Sequence, residues 1–190
     1  MASPANGGCT IVKHSSGKIF EAEIRASLHA FGAAHKRFYW WRFADARDLA
    51  FARVQTRHFW ALHPTERQPA DFGAVYQGRP YFLEAKSSQA NRYAKAWVEP
   101  HQLDASLQSG KAGIGYYFLF GYRATLRQRR HPHATPVWAA NRVLAMETGA
   151  VHALWKRTTE KSIPWAAFID VPHIELPRTA TGWDFAPLFG

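Results

Sequence analysis

Between Ile19 and Phe31 the apolar residues fall at Phe20, Ile24, Leu28 and Phe31. At about 100° per residue these positions make one stripe, with Ser27 on its flank, and predict an amphipathic helix. On that wheel Glu21 lies roughly 60° from the stripe centre and Glu23 roughly 100° away on the other side. Glu21 is therefore the better placed to reach from the helix into a site beside a sheet. The plainer role for it is a first-turn glutamate favoured by the helix dipole. The period then changes to two. Arg37 to Phe43 reads as a strand, and Asp71-Phe72-Gly73-Ala74-Val75-Tyr76 as another. Gln77-Gly78-Arg79-Pro80 is a turn, and Tyr81-Phe82-Leu83-Glu84-Ala85-Lys86 is a further strand rich in aromatics. A hairpin therefore brings Asp71 near Glu84. Because strand side chains alternate, Glu84 and Lys86 point the same way while Ala85 points into the opposite layer.

Elsewhere the pattern is less regular. In the stretch from Ala44 to Gln68, Asp45 to Arg57 reads as a short helix and His63-Pro64-Thr65-Glu66 as a turn. Ser87 to Trp97 is polar and predicts a mobile loop bearing Arg92 and Lys95. Glu99-Pro100 opens a helix with proline at its first position, and Gly110 closes it. Gly115 to Tyr122 is an apolar strand with both faces buried. Arg123 to Pro136 reads as a basic loop, Val137 to Ala140 as a strand, Arg142 to Thr148 as a short helix, and Pro164 to Ile169 as a last helix or turn. There is no internal repeat and no low-complexity tract. The residues argue one α/β domain over 15–177, between a flexible N-terminus (1–14) and a C-terminal tail (178–190).

Composition sharpens this. Apolar residues at 47% and aromatics at 15% in a chain of 190 argue a folded protein with a sizeable core. Lys and Arg outnumber Asp and Glu by 24 to 14, a net charge of +10 that favours polyanionic partners. Seven basic residues (Lys36, Arg37, Arg42, Arg47, Arg53, Arg57, Arg67) lie between Lys36 and Arg67, against Asp45, Asp48 and Glu66. Five arginines, among them Arg127, Arg129 and Arg130, lie between Arg123 and Arg142 with no acid. Both clusters are candidate phosphate-contact surfaces. Cys9 is the only cysteine, which excludes an intramolecular disulfide and a cysteine-rich zinc site and suits a reducing cytoplasm, of a cell or of a phage-infected host. No apolar run approaches the ~20 residues of a membrane span, and Met1 to Gly8 lacks the apolar core of a signal peptide.

The chemistry concentrates on the hairpin. Two carboxylates and one ammonium at a sheet corner can hold a divalent cation and a water, and so cleave a phosphodiester. Taken alone, Asp71, Glu84 and Lys86 describe just as well a solvated hairpin with an ordinary surface ion pair. His131 and His133 in the basic loop lack the further ligands a metal needs, and Ser87 and Ser88 lack a histidine–aspartate partner set for nucleophilic catalysis.

The spacing Asp71-(x12)-Glu84-Ala85-Lys86 resembles the core of the PD-(D/E)XK nuclease superfamily, and its surroundings resemble the RecU-like and Hjc-like Holliday junction resolvases. Pro69-Ala70-Asp71-Phe72-Gly73-Ala74-Val75-Tyr76-Gln77-Gly78 is similar to their P-x-D-F-x-G-x-Y-x-G strand and turn, with Gly73 one place off. Phe82-Leu83-Glu84-Ala85-Lys86-Ser87-Ser88 is similar to F-E-A-K-S/T with Leu83 as an extra residue. Ser16-Gly17-Lys18-Ile19-Phe20-Glu21 resembles the first-helix motif. His101-Gln102-Leu103-Asp104-Ala105-Ser106-Leu107 resembles the start of a later helix, where the family's leucine corresponds to Leu103 or to Leu107. Lys161-Ser162-Ile163-Pro164 resembles a short RecU motif. These points are scattered between Gly17 and Pro164.

The resemblance implies a restriction-endonuclease-like α/β/α sandwich: a mixed sheet with helices on its faces, in the order helix, three strands, helix, strand. It implies that 15–177 is a nuclease domain in which Asp71, Glu84 and the main-chain carbonyl of Ala85 ligate Mg²⁺, with Mn²⁺ able to substitute. Hard oxygen ligands suit either ion better than zinc. Lys86 would act on the attacking water and offset phosphate charge, Glu21 would assist a second ion, and Gln102 would position the water or Lys86. Contacts to branched DNA are expected from Arg42, Arg92, Lys95, His101, Arg127, Arg129 and Arg130. The implied activity is Mg²⁺-dependent resolution of four-way junctions by a homodimer with no membrane association. The alternatives are another nuclease of the superfamily, of restriction or repair type, and a DNA-binding recombination accessory that does not cut.

Overall fold

The structure, a computed structural model, describes residues 16–43, 68–123 and 141–190. Its elements are α1 (Ser16–Ala34), β1 (Phe38–Arg42), β2 (Phe72–Tyr76), β3 (Arg79–Ser88), β4 (Arg92–Ala94), α2 (Pro100–Lys111), β5 (Gly115–Tyr122), β6 (Arg142–Glu147), α3 (Thr148–Arg157), β7 (Ser162–Pro164), α4 (Ala166–Ile169), β8 (Ile174–Leu176) and α5 (Ala186–Phe189), with a single 3₁₀ turn at Lys95–Trp97. Among the described residues, six strands form one mixed sheet in the order β1-β2-β3-β5-β6-β8, in which only the β3–β5 pair is parallel. A parallel neighbour needs a crossover, and α2 provides it. The chain is thus α/β, with helices against both faces of the sheet.

Alternation along the strands sorts the side chains into two cores. Tyr81, Leu83 and Ala85 of β3 and Tyr117 and Leu119 of β5 face α1, whose stripe of Phe20, Ile24, Leu28 and Phe31 is buried against them. Phe82 of β3 and Tyr116, Phe118 and Phe120 of β5 face the second layer, built from α2, α3, α4 and the small β4–β7 ribbon. The expected burial of Gly115 to Tyr122 on both faces is observed. Two glycines make close approaches that a side chain would block. A Cβ at Gly73 would lie 2.2 Å from the ring of its cross-strand partner Trp41, and one at Gly121 would lie 2.7 Å from the Phe20 ring.

The expected turn between β2 and β3 narrows to Gln77-Gly78, both at positive φ (51° and 82°), the conformation of a two-residue hairpin. Ser87 to Trp97 is loop only over Gln89 to Asn91. Ser87 and Ser88 extend β3, Arg92–Ala94 pairs antiparallel with Ser162–Pro164, and Tyr93 is wholly buried among aromatic rings. Of the expected helix over Arg142 to Thr148, Arg142 to Glu147 is a strand and Thr148 opens α3. The strand's Leu, Ala, Met and Glu residues favour helix in isolation, but pairing between β5 and β8 decides the matter. Pro164 to Ile169 divides into the end of β7 and the short α4.

The stretch set apart as a C-terminal tail is built into the α1 side of the molecule. Trp183, Phe185, Leu188 and Phe189 are buried there, and the backbone N–H of Trp183 donates to Ser27 Oγ at 2.9 Å. The expected helix over Asp45 to Arg57, the turn at His63 to Glu66 and the strand over Val137 to Ala140 lie outside the described residues. Among the described residues no helix is long and apolar enough to cross a membrane.

Candidate active site

The site begins with a mismatch of strand lengths. β3 has ten residues and β2 five, and their ladder ends at the pair Phe72–Leu83. Beyond Leu83, β3 continues against β5 alone, leaving a notch on the side where β2 has stopped. An amide facing that notch needs a new partner, because an unpaired buried N–H costs about as much as a lost hydrogen bond. Asp71, the residue just before β2, supplies it: the Ala85 N–H donates to Asp71 Oδ2 at 2.8 Å. The carbonyl of a strand residue points to the same side as its N–H, so the Ala85 carbonyl also faces the notch.

Glu84 and Lys86 share the opposite face of β3, as alternation requires. Glu84 is 2% exposed. Its Oε1 lies 2.8 Å from Lys86 Nζ and accepts a 2.5 Å hydrogen bond from Gln102 Nε2. Gln102 sits at the third position of α2. The backbone N–H of Glu99 donates to its Oε1 at 3.0 Å. With the amide oxygen engaged at the helix start, the NH₂ end is the one turned to Glu84. A residue that caps its own helix thereby holds a carboxyl on the sheet.

Burial raises the proton affinity of both carboxyls. Burial pushes Glu84 up to about 8; the negative charge of Asp71 adds to this, Lys86 opposes it, and Glu21 raises it further. Asp71 is also raised, by burial, against the lowering effects of the Ala85 amide and of the Lys86 and Arg42 charges. Two buried carboxyls that cannot easily both ionise are a demand for positive charge, which suits a divalent cation. Among the described residues, no three His, Cys, Asp or Glu side chains cluster closely enough to hold a metal by themselves. The oxygen donors brought together are Asp71, Glu84 and the Ala85 carbonyl, a hard-ligand set that fits Mg²⁺ or Mn²⁺.

The remaining sequence-predicted residues separate into groups. Arg42, at the end of β1, is near enough to act on the charge of Asp71, and Glu21 on that of Glu84. His101 adjoins Gln102, with Nδ1 3.1 Å from Glu99 Oε2 but not aligned for a hydrogen bond. Arg92 and Lys95 are engaged within the second layer. Arg92 donates to Ser162 Oγ and to the Ser162 carbonyl, both at 2.8 Å, and pairs with Glu160; Lys95 Nζ donates to the Trp155 carbonyl at 2.9 Å and to the Thr158 carbonyl. These bonds tie the β4–β7 ribbon to α3. Arg127, Arg129 and Arg130 lie outside the described residues.

Two tyrosines were missed by sequence reasoning. Tyr116 donates to the Pro69 carbonyl at 2.7 Å and so anchors the approach to Asp71. The hydroxyls of Tyr116 and Tyr93 are raised, by burial first and then by the charge of Glu84, to which Asp71 adds at Tyr116. Nothing in the sequence marks them, since aromatic residues in apolar strands are ordinary core.

No protein-family model matches the chain, and no curated protein matches it. Among solved structures, the chain is similar to that of Hjc from Archaeoglobus fulgidus, a Holliday junction resolvase from an archaeal hyperthermophile. The identity is 12%, the TM-score 0.45, and the match covers 83% of this chain and 95% of that one. At this level the likeness carries no activity, ligand or residue role over to the chain.

Proposed function

We propose that the chain is a metal-dependent DNA endonuclease that cuts four-way junctions by hydrolysing phosphodiesters. The observation that carries the reading is the notch itself: Asp71 held by the Ala85 amide beside a buried Glu84 that Lys86 and Gln102 both reach. Asp71, Glu84 and the Ala85 carbonyl would hold Mg²⁺ or Mn²⁺, with Glu21 helping through a second ion. The bound ion would supply an activated water and neutralise charge on the phosphate. Lys86 orients the attacking water and offsets the charge growing on the phosphate oxygens. Gln102 fixes the rotamer of Glu84. The net charge of +10 supplies attraction for a polyanion.

The choice of a branched substrate rests on the resemblance of the five motifs to junction resolvases. It brings with it a homodimer, because a four-way junction has near two-fold symmetry and needs two equivalent cuts. The test is cleavage of a labelled four-way junction and of a linear duplex of the same sequence, in Mg²⁺ and in EDTA. Junction cutting only in Mg²⁺ supports the proposal. Equal cutting of the duplex would replace it with a nuclease of restriction or repair type, and tight binding without cutting would make the chain a DNA-binding accessory.

A further inference from the structure

A cavity of about 230 Å³ lies on the α1 side of the sheet, walled by Phe20, Tyr122, Arg123, Arg142, Arg178 and Trp183, with Glu23 at its edge. Its cations come from distant parts of the chain. Arg123 follows β5, Arg142 begins β6, and Arg178 lies in the C-terminal segment, where its guanidinium stands 4.6 Å from the centre of the Trp183 ring. Glu23 of α1 lies 2.8 Å from Arg123 and 3.6 Å from Arg178, while Arg142 pairs with Glu175. Three guanidiniums thus meet two carboxylates among these pairs, an excess of one positive charge. The buried indole N–H of Trp183 has no hydrogen-bond partner among the described residues, a donor suited to an acceptor-rich ligand.

The position of the cavity relates it to the notch. The strand register aligns Lys86, Phe120 and Leu144 in one row and Ser87, Gly121 and Val143 in the next. Gly121 and Val143 wall the cavity. At about 4.8 Å between strands, the cavity is one row and one to two strands from Lys86. It opens on the face opposite to Glu84, near the start of α1, where Glu21 follows Phe20 in the chain and acts on the charge of Glu84. One DNA strand, whose charges recur every ~3.4 Å along the axis, spans that separation within a few nucleotides.

We propose that this cavity seats a second backbone phosphate of the strand being cut, held by Arg123, Arg142 and Arg178, with Glu23 as the carboxylate the phosphate displaces. The proposal rests on the nuclease reading and adds to it a site that sets where along the strand the cut falls. Guanidiniums match the forked geometry of phosphate oxygens. A carboxylate shared by two of them keeps the arginines aligned in the free protein and makes binding an exchange of one anion for another.

The test is a salt titration of binding to junction DNA in EDTA, with cleavage measured separately in Mg²⁺. Arg123→Gln with Arg178→Gln should lower the slope of log K against log salt by about 0.7 to 0.9, the amount that one neutralised phosphate contributes, and should blur the position of the cut. Glu23→Gln should tighten binding by roughly fivefold. Unchanged slope and cut position in the double variant, or weaker binding by Glu23→Gln, would overturn the proposal and leave the cluster as an ion-pair clamp. If the double variant does not fold, the sign of the Glu23→Gln change decides alone. Inorganic phosphate that raises the melting temperature of wild type but not of the double variant, with an unchanged DNA slope, would assign the cavity to a free anion and reject DNA. Wild-type protein that neither binds nor cuts DNA would bring down the nuclease reading first, and the cavity proposal with it.

Discussion

The backbone amide of Ala85 donates to the Asp71 carboxylate across the end of the β2–β3 ladder, at 2.8 Å. One oxygen of Asp71 therefore replaces the rung that β2 would have made, and the two candidate metal-binding strands are locked by the residue proposed to ligate. Asp71→Asn keeps an acceptor for this bond but loses the charge. It should fold, bind DNA with near wild-type affinity, and cut more slowly on the order of a hundredfold or more. Glu84→Gln should behave alike. Single-turnover cleavage beside a binding titration checks both, and wild-type cutting by either variant would remove the assigned site.

Gln102 does two jobs, at the start of α2 and at Glu84. Gln102→Met has similar size and does neither, so it should destabilise the protein by about 1–3 kcal/mol, the cost of leaving a buried polar group unsatisfied. Urea unfolding measures this. The loss of cleavage rate should exceed what lost folded protein explains, and proportional losses would reduce Gln102 to a cap.

Cation binding must compete with the proton on Glu84, whose pKa lies near 8 because of burial and the neighbouring Asp71. The sign follows directly. Below about 8 the carboxyl holds a proton that an entering ion displaces, so affinity rises with pH and levels off above that value. Mn²⁺ titrations from pH 6 to 9 should show up to about tenfold tighter binding per pH unit on the rising limb. A flat profile would place the ion elsewhere.

Without a metal the same shift acts on stability. A carboxyl whose folded pKa is raised contributes stability that is fully present below its ordinary value of 4.5 and is lost as pH rises through about 8. The metal-free protein should therefore lose stability across that window relative to Glu84→Gln, by at most about 1.4 kcal/mol per pH unit from this group. Parallel thermal unfolding of the two proteins reads the difference, and parallel curves would mean that Glu84 is ionised throughout.

Lys86→Ala removes the cation nearest Glu84. Cleavage should slow on the order of a hundredfold, within the range for a positioned acid–base group. The protein should still bind Mn²⁺, because in the proposed role the ammonium would act on water and phosphate and not on the ion. Unchanged single-turnover rates across pH would take Lys86 out of the chemistry.

Local pattern alone determined the parts of this protein whose cause is local. The stripe of Phe20, Ile24, Leu28 and Phe31 defined α1, alternation put Glu84 and Lys86 on one face, and Glu99-Pro100 marked the start of α2. These follow from helix and strand periods that any chain obeys. Tertiary structure decided the rest. Arg142 to Glu147 became a strand because β5 and β8 pair with it, overriding helix-favouring side chains. Ser87 to Trp97 became strand, ribbon and turn because Tyr93 is buried among rings from β5, α3 and the segment Trp165 to Phe168. The residues from Arg178 to Gly190 joined the α1 core because α1 and the sheet left apolar surface that Trp183 and Phe185 could cover. The reach of Gln102 to Glu84, 18 positions away, and the meeting of Glu23 with Arg123 and Arg178 depend on how layers stack. No periodicity records that, since charge and hydrogen-bond partners distant in sequence are chosen only once the core has set the elements' positions.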